Sequence, residues 1–408
     1  MKAGSAAYRN FFQSASSNIK DNYDEGRLAE VRKGKLSIGI LAAAIALSPG
    51  SVSAAADSHI LLNYKETLLG SSQVVTGGTT LVPLQQLAQT MGYALSWNQS
   101  TKSARLVRPD REVTVTAGVT TTTVNDKVIT LAKAPRVLKG KIYVPLVSAV
   151  SAMGGKTVYD KNSDSLNIVD ELRYSVASAQ GRLYWVSQKN GDVFYSASSA
   201  GKPVLIGELP FADLTYTHGL EVKSVGKGVD LLLLTDNHYA MFNDFSNGYQ
   251  ALIQDGKIVK QMEYHYSGAS YTKVPLLKTT QLYMTDGASI QYINNDGSLG
   301  NLFDLESITG TEGNFSVEYA AEDIILVRMM TNTHLYAIHT ASGLSTNLSE
   351  KLISSEDRKE WDRADGTDSF YLTKMLVLKK REGNVMTFTY ATVPDGKVKT
   401  VTYNVTSQ

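Results

Sequence analysis

Leu81-Val82-Pro83-Leu84 and, 62 residues later, Tyr143-Val144-Pro145-Leu146 are two copies of one pattern. They anchor a repeat that aligns residues 60–107 with 122–169 without a gap. Pro83 falls on Pro145 (145 − 83 = 62), Gly92 on Gly154, Asn63 on Asn125 and Lys65 on Lys127. A repeat at a fixed period governs the architecture before any other signal. Two tandem copies of a small unit point to an architectural role rather than a catalytic one.

Local rules read the same elements in each copy. Ile60-Leu61-Leu62, a turn at Asn63-Tyr64-Lys65 and Thr67-Leu68-Leu69 form a hairpin pattern, matched by Thr122-Thr123-Val124, Asn125-Asp126-Lys127 and Val128-Ile129. A short strand carrying Val-Pro-Leu follows, and its proline confines it to a sheet edge or a strand end. Leu84, Leu87, Ala88 and Met91 then line one face of a helix, as do Leu146, Ala149, Val150 and Met153. Gly92 and Gly154 stand where a glycine closes a helix in the left-handed conformation. A last hairpin carries Trp97 in one copy and Tyr159 in the other. These two aromatics are expected to pack on the helix of their own copy, as strand aromatics beside a small helix do; the alternative is a stacking surface for glycan.

The order of asparagine hairpin, Val-Pro-Leu strand, apolar helix, Met-Gly and aromatic hairpin resembles the copper amine oxidase N-terminal-like domain. The resemblance covers about residues 59–170, with copies at 59–109 and 121–170. It implies an α+β stalk or attachment module, separate from any catalytic domain, in secreted and envelope proteins of Gram-positive, spore-forming bacteria. Amine oxidase chemistry itself needs a Thr-x-x-Asn-Tyr-Asp/Glu motif and three histidine ligands, two of them as His-x-His. Asn22-Tyr23-Asp24 is the nearest match, with Ile19 in place of the threonine, and the six histidines form no His-x-His. No metal and no cofactor is expected.

After residue 170 the texture changes. Apolar runs recur at Leu183-Tyr184-Trp185-Val186, Leu231–Leu234, Leu282-Tyr283-Met284, Ile324–Val327 and Met375–Leu378, with starts 48, 51, 42 and 51 residues apart. Each is followed by a second β-rich run, and Asp-Gly turns at 255, 286, 296 and 395 favour tight hairpins. Strands at this spacing read as blades, so residues 171–408 are expected to be an all-β domain in the form of a five-bladed β-propeller. Lys351–Asp368 reads as a polar, helical insertion between the fourth and fifth units.

Composition narrows the function classes. An apolar fraction of 43% over 408 residues is enough for two or three packed domains. Without residues 1–56, which hold seven Lys/Arg and four Asp/Glu, the remainder has 33 basic and 35 acidic residues (40 − 7 and 39 − 4). A near-neutral body argues against nucleic acid as a partner. The absence of cysteine excludes disulfides, thiolate metal sites and a cysteine nucleophile. His218 has no Gly-x-Ser-x-Gly elbow to serve. Glu322-Asp323 and Glu356-Asp357 are sequence neighbours, which point to opposite faces of a strand. Sixteen of the 22 tyrosines follow residue 170, an excess that strand composition explains.

Arg32-Lys33-Gly34-Lys35, an apolar stretch from Leu36 to Leu47, Pro49-Gly50 and Ser51-Val52-Ser53-Ala54-Ala55-Ala56 follow the order of a secretory signal. The stretch is shorter than the ~20 residues a membrane-spanning helix needs; an uncleaved anchor over residues 36–56 is the alternative. The expectation is therefore a secreted or cell-surface, non-catalytic envelope protein, its stalk presenting a propeller that binds a protein or wall polymer. The rival is a propeller-type polysaccharide hydrolase or lyase. Processing is expected between Ser53 and Asp57. Sequencing the amino terminus of the exported protein checks this, and a membrane-embedded form still beginning at Met1 would favour the anchor.

Overall fold

The computed structural model describes residues 59–211, 214, 218–240, 243–267, 277–363, 375–393 and 395–405. The leader and processing site expected within residues 1–56 lie outside the described residues, as does Asn22-Tyr23-Asp24. Strands dominate, and the helices are few and short. The first copy runs β1 (His59–Leu62), β2 (Lys65–Glu66), β3 (Val74–Thr76), β4 (Thr79–Pro83), α1 (Leu84–Thr90), β5 (Ala94–Asn98) and β6 (Ser103–Arg108). After β7 (Arg111–Thr116) the same series returns 62 residues on. It comprises β8 (Thr121–Val124), β9 (Lys127–Thr130), β10 (Arg136–Leu138), β11 (Lys141–Pro145), α2 (Leu146–Ala152), β12 (Lys156–Asp160) and β13 (Ser165–Val169). The opening hairpins share one cause. Asn63-Tyr64 (φ 47° and 65°) and Asn125-Asp126 (φ 44° and 66°) take the left-handed backbone that a two-residue hairpin turn requires.

The copies are not two consecutive units, as 59–109 and 121–170 would be; they exchange hairpins. The first copy's opening hairpin joins the second copy's closing hairpin in the order β12-β13-β1-β2, with β1 parallel to β13. The reciprocal sheet runs β5-β6-β7-β8-β9, the connecting strand β7 lying between the two exchanged hairpins. In the third sheet, β10-β11-β4-β3, the two Val-Pro-Leu strands pair antiparallel at the centre, with Val144 opposite Val82. Pro83 and Pro145 are thus not on edge strands. Each ends a central strand and precedes a helix, at φ −60° and −66°, where its missing N–H is not needed.

One core serves both copies. Ile60, Val82, Leu84, Leu87 and Met91 share a cluster with Val144, Leu146, Val150, Met153 and Ile168, and none is more than 2% exposed. A seven-residue helix is too short to hold itself together in water. Its apolar face is covered by strands of both copies. Burying each such side chain contributes about 1.5–3 kcal/mol.

Five antiparallel sheets follow in chain order. The first is β14 (Tyr174–Ala179), β15 (Arg182–Ser187), β16 (Asp192–Ser196) and β17 (Val204–Glu208). The second is β18 (His218–Gly226), β19 (Val229–Ala240), β20 (Asn243–Gln254) and β21 (Lys257–Ser267). The third is β22 (Leu282–Thr285), β23 (Ser289–Ile293) and β24 (Leu299–Asp304), ending in α3 (Leu305–Thr309). The fourth is β25 (Phe315–Ala320), β26 (Ile324–Met329), β27 (Leu335–His339) and β28 (Ser345–Asn347). Helices α4 (Leu348–Leu352) and α5 (Ser355–Arg358) come next, so short helical turns run through the described part of the polar insertion. The fifth sheet is β29 (Val377–Glu382), β30 (Val385–Ala391) and β31 (Val398–Asn404).

The apolar runs are strands buried on both faces. Leu232 and Leu234 of β19 join a cluster with the first sheet, and Leu231 joins one with the third. Ile324 and Leu326 of β26 face the fifth sheet, while Ile325 and Val327 face the third. Side chains alternate along a strand, so two apolar faces produce a continuous run. Buried ion pairs tie neighbouring sheets. Arg182 grips Asp230 at 2.6 and 2.7 Å, and Arg328, bonded to Glu318, donates to the Leu376 carbonyl at 2.6 Å. Expressed alone, residues 59–109 and 121–170 are each expected to show no cooperative melt by circular dichroism. A cooperative transition in either fragment would contradict the exchange.

Candidate functional site

Two groups of polar side chains among the described residues are candidates. The first is where the repeat domain meets the first sheet. Arg108 and Asp170 stand at equivalent repeat positions (170 − 108 = 62) and form an ion pair of 2.5 Å, with side chains 1% and 4% exposed. The Arg108 guanidinium also donates to Asp110 at 2.7 Å and to the carbonyls of Met91 and Met153 at 3.2 and 3.5 Å. Those carbonyls close α1 and α2, so one cation meets the negative ends of both helices. Tyr93 lies under the guanidinium at 4.6 Å and donates its hydroxyl to the Met153 carbonyl at 2.6 Å. Asn63 brackets the Asp170 backbone with two bonds of 3.0 Å. Burial pushes the Asp170 carboxyl above its ordinary range, against the pull of Arg108. Burial likewise pushes the Tyr93 phenol up.

This cluster reaches the first sheet. The Arg108 guanidinium lies 5.6 Å from the Tyr174 ring, and Arg105 donates to the Ser199 carbonyl at 2.6 Å. The boundary expected between residues 170 and 171 therefore runs through a packed contact. Neither Arg108 nor Asp170 stood out in the sequence. Their signal was opposite charge at one repeat position.

Among the residues expected to matter, Val82, Leu84, Val144 and Leu146 lie in the shared core. Gly92 and Gly154 have φ of 70° and 87°, past the ends of α1 and α2. Their surroundings differ. A Cβ on Gly92 would stand 2.3 Å from the Tyr174 carbonyl oxygen, whereas the nearest neighbour of one on Gly154 would be the Arg111 side chain, at 2.9 Å. Trp97 and Tyr159 do not pack in the core, being 40% and 55% exposed. A seven-residue helix spans about 10 Å and leaves the hairpin tips uncovered. The buried aromatic of the region is Tyr93, at 1% exposure.

The second place is a cleft of about 570 Å³ between the second and third sheets. Tyr264 and Tyr266 of β21 stack at 4.5 Å and point the same way, because they are two residues apart on one strand. Gly248 of β20 lies opposite Tyr264, and a Cβ there would be 2.2 Å from the ring, so only glycine admits the tyrosine. Tyr266 donates to the Phe315 carbonyl at 2.8 Å, and Gln250 accepts from the Thr285 N–H at 2.8 Å. Burial raises the phenols of Tyr264, Tyr266 and Tyr283, which keeps them protonated as donors. Among the described residues lining the cleft, Glu221 is the single carboxylate. It is 57% exposed and 3.4 Å from Lys223. The cleft offers hydrogen bonds and aromatic surface, without the paired carboxylates that glycoside hydrolysis uses.

Other acids named from the sequence are structural. Asp286 and Asp296 accept from the backbone of Ser289 and Ser298 in their turns, Asp323 pairs with Arg381, and Asp357 pairs with Lys399. His218 opens β18.

A family model for the copper amine oxidase N-terminal domain matches residues 61–168. That span is the exchanged-hairpin domain. The name raises copper, and the residues do not fit it. Among the described residues no three His, Asp or Glu side chains form a group able to hold a metal ion. His59 begins the domain, and His238, His265, His334 and His339 are spread over the second and fourth sheets. No curated protein matches the chain. A solved nidogen/laminin complex is 10% identical, covering 67% of this chain and 89% of that one, with a TM-score of 0.19. An endo-arabinase from Bacteroides thetaiotaomicron is 10% identical, covering 78% and 94%, with a TM-score of 0.22. Likenesses at these scores do not bear on function.

The two glycines provide a test. Gly154→Ala is expected to cost about 1–2 kcal/mol, the strain of a left-handed alanine. Gly92→Ala should cost more, because the Tyr174 backbone must also move. Urea denaturation of both variants checks this, and equal losses would contradict the contact at Tyr174.

Proposed function

We propose that this chain is an exported, non-catalytic protein of the Gram-positive cell envelope. In this reading the exchanged-hairpin domain holds the five sheets as a five-bladed β-propeller that binds a protein or a wall polymer. The signal-like order of residues 32–56 supports export. The series of sheets, each sharing an apolar cluster with the next, supports the propeller.

The observation that carries binding over catalysis is the lining of the cleft between the second and third sheets. Tyr264, Tyr266, Tyr283, Gln250 and Thr285 present neutral donors, acceptors and rings. A hydrolase would need a second carboxylate about 5–10 Å from Glu221. Lys223 and Lys278 at the same cleft would favour a ligand with some negative charge.

Incubating the purified chain with isolated cell walls tests this reading. Retention on the walls or capture of one envelope protein is expected, with no release of reducing ends or unsaturated sugars. Release of either that is abolished by Glu221→Gln would overturn it in favour of the hydrolase or lyase.

A further inference from the structure

We propose that the repeat domain is itself a glycan-binding element, with two quasi-equivalent positions centred on Trp97 and Tyr159. This goes beyond the reading in which the domain only holds the sheets in place. The two rings share one repeat position (159 − 97 = 62) and stand on β5 and β12, the outer strands of the two exchanged sheets. A core role would bury them, yet they are 40% and 55% exposed. The same feature has therefore been left open to solvent twice.

Each ring is also held in place. Trp97 donates its indole N–H to Gln99 at 2.7 Å, and Tyr159 donates its hydroxyl to Asp164 at 2.7 Å. A ring fixed by its polar edge keeps a face for stacking and loses little freedom on binding. The groups nearby fit a sugar. Tyr159 borders a groove of about 350 Å³ that also presents Thr79, Thr80 and Ser148, together with Val147 and Leu166. No charged side chain is among the described residues lining that groove. Hydroxyls and an aromatic face, with the Asp164 carboxylate bonded at the edge of the Tyr159 ring, match a neutral glycan, which has an apolar C–H face and a rim of hydroxyls. They do not match a phosphate polymer. Beside Trp97, Asn98, Gln99 and Ser100 form the hairpin tip and supply amide and hydroxyl groups of the same kind. Two such positions on one folded body suit a repeating polymer, which can engage the second once the first is bound.

The chain's own tryptophans make the test direct. Trp185 and Trp361 are 0% and 5% exposed, so Trp97 is the tryptophan that a surface ligand can reach. The full chain is titrated with chitohexaose, a soluble, neutral β-linked glycan, by fluorescence and by calorimetry. A change in emission and measurable binding are expected. Trp97→Ala and Tyr159→Ala should each weaken binding several-fold and the double variant at least about tenfold, with unchanged melting temperatures. Trp97→Phe, which keeps a ring, should bind within about threefold of the natural chain by calorimetry. No binding by the natural chain, or undiminished binding by the double variant, would overturn the proposal. Either result leaves the wall-retention reading of the cleft standing, because that is measured on whole walls.

Discussion

The guanidinium of Arg108 is the point on which the amino-terminal architecture depends. Two helices with the same sequence pattern end beside each other, each leaving unsatisfied carbonyls. One buried cation meets the carbonyls of Met91 and Met153, and its charge is balanced by Asp170 and Asp110. A buried cation without such partners would cost several kcal/mol. With them it fixes the relation between the two copies. It also breaks their symmetry, because the equivalent position in the second copy is Asp170. The exchanged hairpins accompany it. One core combines apolar residues of both copies, and Asp170, just after β13, meets Arg108 at the end of β6.

Beyond residue 170 the organising constraint is different. Here strands are sandwiched between neighbouring sheets, so both faces must be apolar. The runs Leu231–Leu234 and Ile324–Val327 meet that need, and buried pairs such as Arg182 with Asp230 fix how one sheet registers on the next. Tyr174 is where the two regimes meet. Its backbone fills the space beside Gly92, and its ring faces Arg108.

Much of this was legible in the residues. The offset of 62 located the Val-Pro-Leu strands, the helices, the asparagine turns and the glycine helix ends, but not the strands Val74–Thr76 and Arg136–Leu138, and it set the opening hairpin's return strand at Thr67–Leu69 where the structure has Lys65–Glu66. The apolar runs located one strand in each of five sheets. What the sequence did not reveal was partnership. Periodicity says that a strand has a buried face; it does not say which copy provides the cover. The exchange of hairpins, the central placement of Pro83 and Pro145, and the Arg108–Asp170 pair are all choices of partner. Trp97 and Tyr159 were misread for a related reason. Their alternation matched an inward face, but the length of the helix decided how far that face was covered. The cleft at Tyr264 was equally hidden, because Gly248 acquires its meaning only from the strand opposite.

The interlocked clasp is tested most directly by a double-mutant cycle on Arg108 and Asp170, using Arg108→Met, Asp170→Asn and the combination, read by urea denaturation. Arg108→Met is expected to cost about 3–5 kcal/mol, since it leaves the buried Asp170 carboxyl without its cation, and Asp170→Asn less, since Arg108 keeps Asp110. The pair should show a coupling of about 2 kcal/mol or more, the double variant being less destabilised than the two losses together. A coupling near zero would mean that the two residues act independently, and the clasp across the repeat would be contradicted.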